Sequence, residues 1–372
     1  MRIVQILPYA MARPGGVQAH VRDLSRWLRG EGHEVRIVAP PTPDGICASG
    51  TECCGRSRLV TMFGTRFEVS YAFGPERRRL VEDLRDWGAD LVHLHTPWTP
   101  FVAWQVWRGL RLPTVTTFHA TLPGTEAGGV TARLLRAAAG HFLSHSRIVV
   151  VPSPTPLAHL GAAARDVRVE VVPPCIDLGP WRNARKSEQN QNLEIVFLGR
   201  FEARKGLDVL LAAWPDIASA LPDARLTVAG GGDLKPLVEA ALAAPHGGRI
   251  RLVERPDDAT ARALVAGADI FAAPAPYGES FGLVLVEAMA AGALPVAAAN
   301  PGYAGVLSGE GAELLVPPGD AGALARRIVS LAGDRPARER LAAWADARAQ
   351  YADIRGTGPV FARLYAEALR GS

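Results

Sequence analysis

The 372-residue chain reads as an α/β protein of two doubly wound, Rossmann-like domains. Three observations predict this. The length exceeds what one ordinary core fills and suits two α/β domains. Short apolar runs alternate throughout with amphipathic helical stretches, the pattern of parallel sheets assembled from βαβ units. A polar segment without periodicity, 180–192, splits that pattern and reads as an interdomain linker.

In chain order, the first series of strands is Ile3–Leu7, Val35–Val38, Leu91–Leu94, Thr114–Thr117 and Arg147–Val151. Helices follow several of them, notably Gln18–Gly30 and Pro75–Trp87. The second series is Glu194–Leu198, Arg225–Ala229, Ile250–Val253, Asp269–Ala273 and Leu294–Ala298. Two such domains imply a cleft, and ligands of these folds gather at the carboxyl ends of the strands.

Composition excludes several classes. A hydrophobic content of 48% and a charged content of 21% belong to a soluble globular protein. No run of eighteen apolar residues is present, so no transmembrane helix is expected. Met1–Leu7 is too short for a secretory signal and reads as a strand, which makes the cytoplasm the default compartment. Cys47, Cys53, Cys54 and Cys175 match no zinc spacing, and the adjacent Cys53 and Cys54 do not easily bridge each other. Free thiols in a reducing cytosol are expected. The net charge is +4, unevenly placed: residues 1–180 hold 20 Arg, no Lys and 15 acidic residues. That basic half either meets an anionic surface or substrate or reflects an Arg-rich coding bias. Nothing points to sequence-specific nucleic-acid binding.

The most informative stretch is Tyr277–Glu287. Pro274 and Pro276 keep the preceding loop non-helical, which leaves Glu279 in that loop. A helix is then expected from about Phe281 to Ala291, ended by Gly292, with Glu287 one to two turns inside. The N–H groups of Gly282, Leu283 and Val284 lack helical acceptors and could hold a phosphate against the helix dipole. Two carboxylates beside a phosphate cradle suit a nucleotide sugar, whose hydroxyls need acceptors.

Other signals are weaker one by one. Gly15 and Gly16 stand at a strand–helix turn, where any tight turn uses such a pair and a ligand also approaches closely. His119 ends a strand, as an active-site residue or a structural one. His93 and His95 have a spacing that a metal could use, but no third ligand is evident; they read as structural or loop-ordering. Arg200 and Lys205 flank a turn after the strand opening the second series, where two cations could neutralise a diphosphate or merely be solvated. Ala229–Asp233 lacks the G-x-G-x-x-G spacing, which disfavours an NAD site. Arg77–Arg79 could rest on anionic lipid headgroups or form a solvated face. Trp98, Trp104 and Trp107 suit core packing, or contact with an acceptor or membrane.

In order, these motifs resemble those of family 4 glycosyltransferases of the GT-B fold, over nearly the whole chain. The resemblance rests on Gly15–Gln18, Thr117–His119, Phe197–Arg200, Arg204–Gly206 and, most specifically, Gly278–Ala290. Within that family the chain is most similar to bacterial phosphatidylinositol mannosyltransferases, a likeness to which Pro8-Tyr9 and Asp257–Thr260 add. The resemblance implies a GT-B architecture: a first domain of residues 1–179 joined by a C-terminal helix, 356–372, that crosses back to it, and a donor-binding domain of residues 193–355. It implies that Gly15 and Gly16 approach the donor diphosphate, which Arg200 and Lys205 bind from the other domain. Glu279 would hold the transferred sugar and Glu287 the ribose. Ser280, Phe281, Gly282, Leu283 and Val284 would complete the phosphate site, and His119 would lie beside the sugar. It further implies retaining transfer of a hexose from a UDP- or GDP-sugar without an obligatory metal, in line with the missing D-x-D signature. The acceptor would be lipid or lipid-linked, reached by peripheral contact with an anionic membrane, such as the inner face of the plasma membrane. Ala10–Pro14 lacks the acid expected of close inositol-lipid relatives, and His95–Thr99 lacks the acidic His-Glu-Pro version. A soluble or polysaccharide acceptor, an epimerase, an oxidoreductase or a non-catalytic binder are the competing readings.

Overall fold

A computed structural model of the protein describes residues 1–62, 65–97, 101–119, 139–185 and 192–371. The chain divides into two compact units, Met1–Asp177 with Ala352–Ser372, and Leu178–Tyr351.

The first unit is built on a parallel seven-stranded sheet of order β3-β2-β1-β6-β7-β8-β9. Its strands are β1 (Arg2–Ile6), β2 (Glu34–Ala39), β3 (Thr51–Cys53), β6 (Leu91–His95), β7 (Thr114–Thr117), β8 (Ile148–Val151) and β9 (Val169–Val171). An antiparallel pair, β4 (Arg56–Met62) and β5 (Thr65–Tyr71), stands apart from it. The central strands are rich in Val, Ile and Leu because helices cover both faces and every side chain is buried. Helices α1 (Gly16–Gly30), α2 (Gly74–Asp86) and α3 (Val102–Leu110) supply part of that cover. Chain connections run from β1 to β2 on one side while β6 flanks β1 on the other, so the strand order reverses at β1/β6.

The second unit has a parallel six-stranded sheet of order β12-β11-β10-β13-β14-β15. Its strands are β10 (Glu194–Arg200), β11 (Arg225–Gly231), β12 (Ile250–Glu254), β13 (Ile270–Ala273), β14 (Leu294–Ala298) and β15 (Leu315–Val316). Here the order reverses at β10/β13. The two helices that matter most are α4 (Leu207–Ala220), after β10, and α5 (Leu283–Ala291), after β13.

The last helix, α6 (Ile354–Arg370), belongs to the first unit. It is capped by Asp353, whose carboxylate accepts the Arg355 N–H. Ile354, Phe361, Leu364, Tyr365 and Ala368 share one core with Ile3, Leu24, Leu91 and Val115. Ile354 N–H also donates to the Ile176 carbonyl at 2.9 Å, which ties the returning chain to the point where the first unit ends.

Two expectations need correction. The segment 180–192 is not linker at its start: Gly179–Asn183 is a short helix with Pro at its first turn. Arg185 then donates to the carbonyls of Met289 and Ala290 and pairs with Asp346, all in the second unit. Residues 186–191 lie outside the described residues. Nor are all four cysteines free. Cys47 and Cys53 form a disulfide across a loop whose turns bring their Cα atoms to 6.1 Å; only Cys54 and Cys175 are free, and both are buried. No helix among the described residues is long and apolar enough to cross a membrane.

Candidate active site

Two loops leave the carboxyl edge of the second sheet at its reversal point, one after β10 and one after β13. They bring together the charged residues singled out in the sequence. Lys205 Nζ lies 2.6 Å from Glu279 Oε1. Arg204 lies 3.6 Å from the same carboxylate and 2.8 Å from Glu202, and Arg200 pairs with Glu202 at 2.9 Å. The result is an alternating row, Arg200, Glu202, Arg204, Glu279, Lys205, carrying three cations against two carboxylates. Glu202 and Arg204, to which the motif reading assigns no role, therefore link Arg200 to Glu279. Gly206 makes this turn possible: its φ is 70°, and a Cβ would lie 2.1 Å from the Pro274 carbonyl oxygen.

Helix α5 starts at Leu283, two residues later than the pattern suggests, because Gly282 has φ 102° and stands as the N-cap. Its C-terminus falls at Gly292 as expected. No side chain caps the N-terminus, so the first N–H groups, including those of Leu283 and Val284, point away from the helix without intrahelical acceptors. Ser280 and Phe281 are buried, and Glu287 is half-buried within the helix.

The Glu279 loop is supported from behind by residues the sequence did not flag. The Asn300 amide donates to the Ala275 carbonyl at 2.8 Å, and its oxygen accepts Tyr303 N–H at 2.9 Å. A Cβ on Gly302 would lie 2.2 Å from the Glu279 carbonyl oxygen, so the loop rests directly on that backbone. Burial, and next the nearby Glu279 charge, push the Tyr303 hydroxyl well above the usual phenol range.

In the first unit Gly15 and Gly16 lie at the start of α1. Gly15 is extended, with φ 173°, and its empty side is filled by the Gln18 side chain, whose Oε1 would be 2.4 Å from a Cβ. The preceding loop, which lacks an acid of its own, receives one from β5. Buried Glu68 accepts Ala10 N–H and pairs with Arg13, both at 2.8 Å.

His119 follows β7 and joins a buried polar network. His95 Nδ1 is 2.9 Å from His119 Nε2, and His95 Nε2 is 2.6 Å from Gln5 Oε1. Gln5 Nε2 reaches the Tyr365 hydroxyl at 3.3 Å, and that hydroxyl is 2.6 Å from His93 Nδ1. His93 Nε2 is 2.7 Å from Thr117 Oγ1. Burial lowers His20 to about 3 and pushes His93, His95 and His119 well below the usual imidazole range, with neighbouring imidazoles adding to the effect on the last three. The four rings are neutral at physiological pH.

His20, His95 and His119 bring ring nitrogens within 4.8 Å of one another, a cluster that contains His95 but not the His93 paired with it in the sequence. The donor chemistry does not suit a metal. His20 Nδ1 accepts the Cys175 N–H at 2.8 Å, so in the neutral ring the proton sits on Nε2, leaving no lone pair there to ligate.

Trp107 packs in the core and donates to Thr114 Oγ1 at 2.9 Å, and Trp104 packs half-buried against that core under the Arg108 guanidinium. Trp98 lies outside the described residues.

Comparison with known proteins decides the family. Residues 14–179 match the model described as Glycosyltransferase Family 4, and residues 181–348 match that for glycosyl transferases group 1. The chain is 31% identical over 369 residues to a phosphatidyl-myo-inositol mannosyltransferase of Mycolicibacterium smegmatis, covering 98% of this chain and 93% of the relative. This protein belongs to glycosyltransferase family 4. A Mycobacterium leprae relative of the same name is 34% identical over 362 residues, covering 94% and 93%. Among solved structures, the sucrose-phosphate synthase of Thermosynechococcus elongatus superposes with a TM-score of 0.77 at 22% identity, covering both chains fully. Anabaena HepE, solved with UDP and glucose, gives 0.76 at 18% identity over 99% of this glycosyltransferase and 100% of HepE. The fold is GT-B.

Proposed function

We propose that this glycosyltransferase moves a hexose, with retention, from a nucleotide sugar to a lipid or lipid-linked acceptor at an anionic membrane surface, without an obligatory metal. The observation that carries this reading is the Lys205–Glu279 pair, placed just ahead of the uncapped N-terminus of α5. It sets a cation, backbone donors and a carboxylate within one loop system, which matches a diphosphate attached to a hydroxyl-rich ring.

In this reading Lys205, Arg200 and the N–H groups around Ser280, Phe281, Gly282, Leu283 and Val284 bind the diphosphate. They stabilise the charge that grows on it as the bond to the sugar's anomeric carbon breaks. Glu279 accepts hydrogen bonds from the sugar hydroxyls and Glu287 from the ribose. Gly15 and Gly16 offer backbone to the phosphates, and His119 meets a sugar hydroxyl. The acceptor oxygen bonds to the anomeric carbon on the face that the diphosphate leaves, and its proton passes to the departing phosphate.

The names of the relatives support a lipid acceptor and transfer of a mannosyl group; GDP-mannose and UDP-glucose are the two donor types between which the assay decides. The first unit supports membrane contact. Arg78 and Arg79 are exposed at the start of α2, and Tyr71, Phe73 and Phe101 are exposed near it in sequence or ring contact.

Incubation with radiolabelled UDP- and GDP-sugars and a panel of membrane lipids tests the proposal. Label transferred to lipid supports it. Sugar isomerisation, transfer to soluble glycan only, or binding without turnover would each overturn it. Vesicle co-sedimentation insensitive to anionic lipid and to salt would remove the membrane part.

A further inference from the structure

We propose that Tyr365 of the C-terminal helix, with Gln5 and His95, is a positioning relay that locks His119 as its Nε2–H tautomer and leaves Nδ1 as a hydrogen-bond acceptor. The argument rests on the proposed role of His119 only for its functional consequence; the tautomer itself follows from the network.

The polarity is set at Gln5. The contact between Gln5 and His95 Nε2 is 2.6 Å, short for nitrogen against nitrogen and suited to an N–H donating to a carbonyl oxygen. His95 therefore carries its proton on Nε2. Its Nδ1 is then a lone pair, and among the described residues the donor that meets it, at 2.9 Å, is the Nε2–H of His119. At the other end the Gln5 amide donates to the Tyr365 oxygen, so the phenol hydrogen turns to His93 Nδ1 at 2.6 Å, and His93 Nε2–H faces Thr117. Every member but His119 is fully buried or nearly so, so an unmade bond here has no bulk water to replace it. His20 reinforces this. Its ring lies 5.0 Å from that of His119, and its own Nε2–H has no acceptor among the described residues, so it offers His119 no lone pair.

A neutral imidazole presenting Nδ1 can only accept. A substrate hydroxyl that meets His119 must donate its hydrogen there, which fixes the rotation of that hydroxyl before transfer. Tyr365 thus gives α6 a part in the reaction in addition to packing, through a hydroxyl that touches no substrate.

The test is to label the intact enzyme with ¹⁵N-histidine and read ring tautomers by long-range ¹H–¹⁵N correlation at neutral pH. His119 signals are assigned by their loss in His119→Asn. The expected result is a single Nε2–H tautomer for His119 and His95. An Nδ1–H tautomer or an equal mixture at His119 would overturn the relay, whatever reaction the enzyme catalyses. Gln5→Met, which removes the acceptor, should produce a mixture, whereas Gln5→Glu, which keeps a carbonyl-type acceptor, should retain Nε2–H. Tyr365→Phe should lower kcat about tenfold with donor KM changed less than twofold and His119 populating both tautomers. A folded Tyr365→Phe enzyme, judged by thermal unfolding, with wild-type kcat and an unchanged tautomer would also overturn it.

Discussion

The two clusters of polar residues are built in opposite ways. In the second unit, Arg200, Arg204 and Lys205 face Glu202 and Glu279 at positions that keep some solvent access, and every member is charged. In the first unit, His20, His93 and His95, with Gln5 and Tyr365, are buried, and burial holds the rings neutral. The contrast follows from solvation. Charges survive near water and can answer a charge that changes during reaction, as on a departing diphosphate. Buried neutral groups cannot answer charge, but each has a fixed donor or acceptor side, which suits recognition of a hydroxyl.

Four measurements break or sharpen that contrast. The largest effect is on stability in acid. The histidines of the first unit are held below their unfolded value of about 6.5, with His20 at about 3. Above pH 6.5 neither folded nor unfolded chain protonates them, and no penalty applies. As pH falls below 6.5 the unfolded chain binds protons that the folded one refuses, so stability declines by up to about 1.4 kcal/mol per pH unit for each such ring. Denaturant midpoints should drop steeply between pH 6.5 and 5; a flat profile would mean the rings are not neutral.

Next is Lys205→Ala, expected to lower kcat about 10²–10³-fold by removing a cation from the leaving group, with thermal unfolding little changed. Turnover near wild type would take Lys205 out of the site. Glu279→Gln keeps an acceptor oxygen but loses its charge, and should lower kcat/KM about 10–100-fold. An equal effect from Glu202→Gln would show that the row acts only as one electrostatic unit. Smallest is Gly302→Ala, whose methyl would press on the Glu279 carbonyl. A cost of about 1–3 kcal/mol in stability and a raised donor KM are expected, with the His119 tautomer unchanged because that ring belongs to the other unit.

Legibility tracked how local each cause was. The strands showed because buried parallel strands need runs of β-branched residues, and α5 ended at Gly292 because its left-handed φ of 93° suits glycine. β3 and the β4–β5 pair were missed: β3 is only three residues long, β5 alternates with its polar Glu68 and Ser70 turned inward and Tyr71 exposed, and the pairing that makes them strands is itself tertiary. The Cys47–Cys53 bond was not legible because a separation of six residues does not say whether the intervening loop turns back, and it is that turn which brings the two Cα atoms to 6.1 Å.

By itself, then, the sequence determined the two-sheet α/β order, the strand-end positions of Lys205, Glu279 and His119, and membership of the family, since each depends on residue type and spacing along one loop. Only the tertiary structure decided that Glu202 and Arg204 join Arg200 to Glu279, that Glu68 supplies the acid its loop lacks, and that Tyr365 and Gln5, 360 residues apart, meet over His93. Those pairings depend on which strand edges the topology sets side by side. Side chains remote in sequence become hydrogen-bond partners only when burial leaves them no water to choose instead.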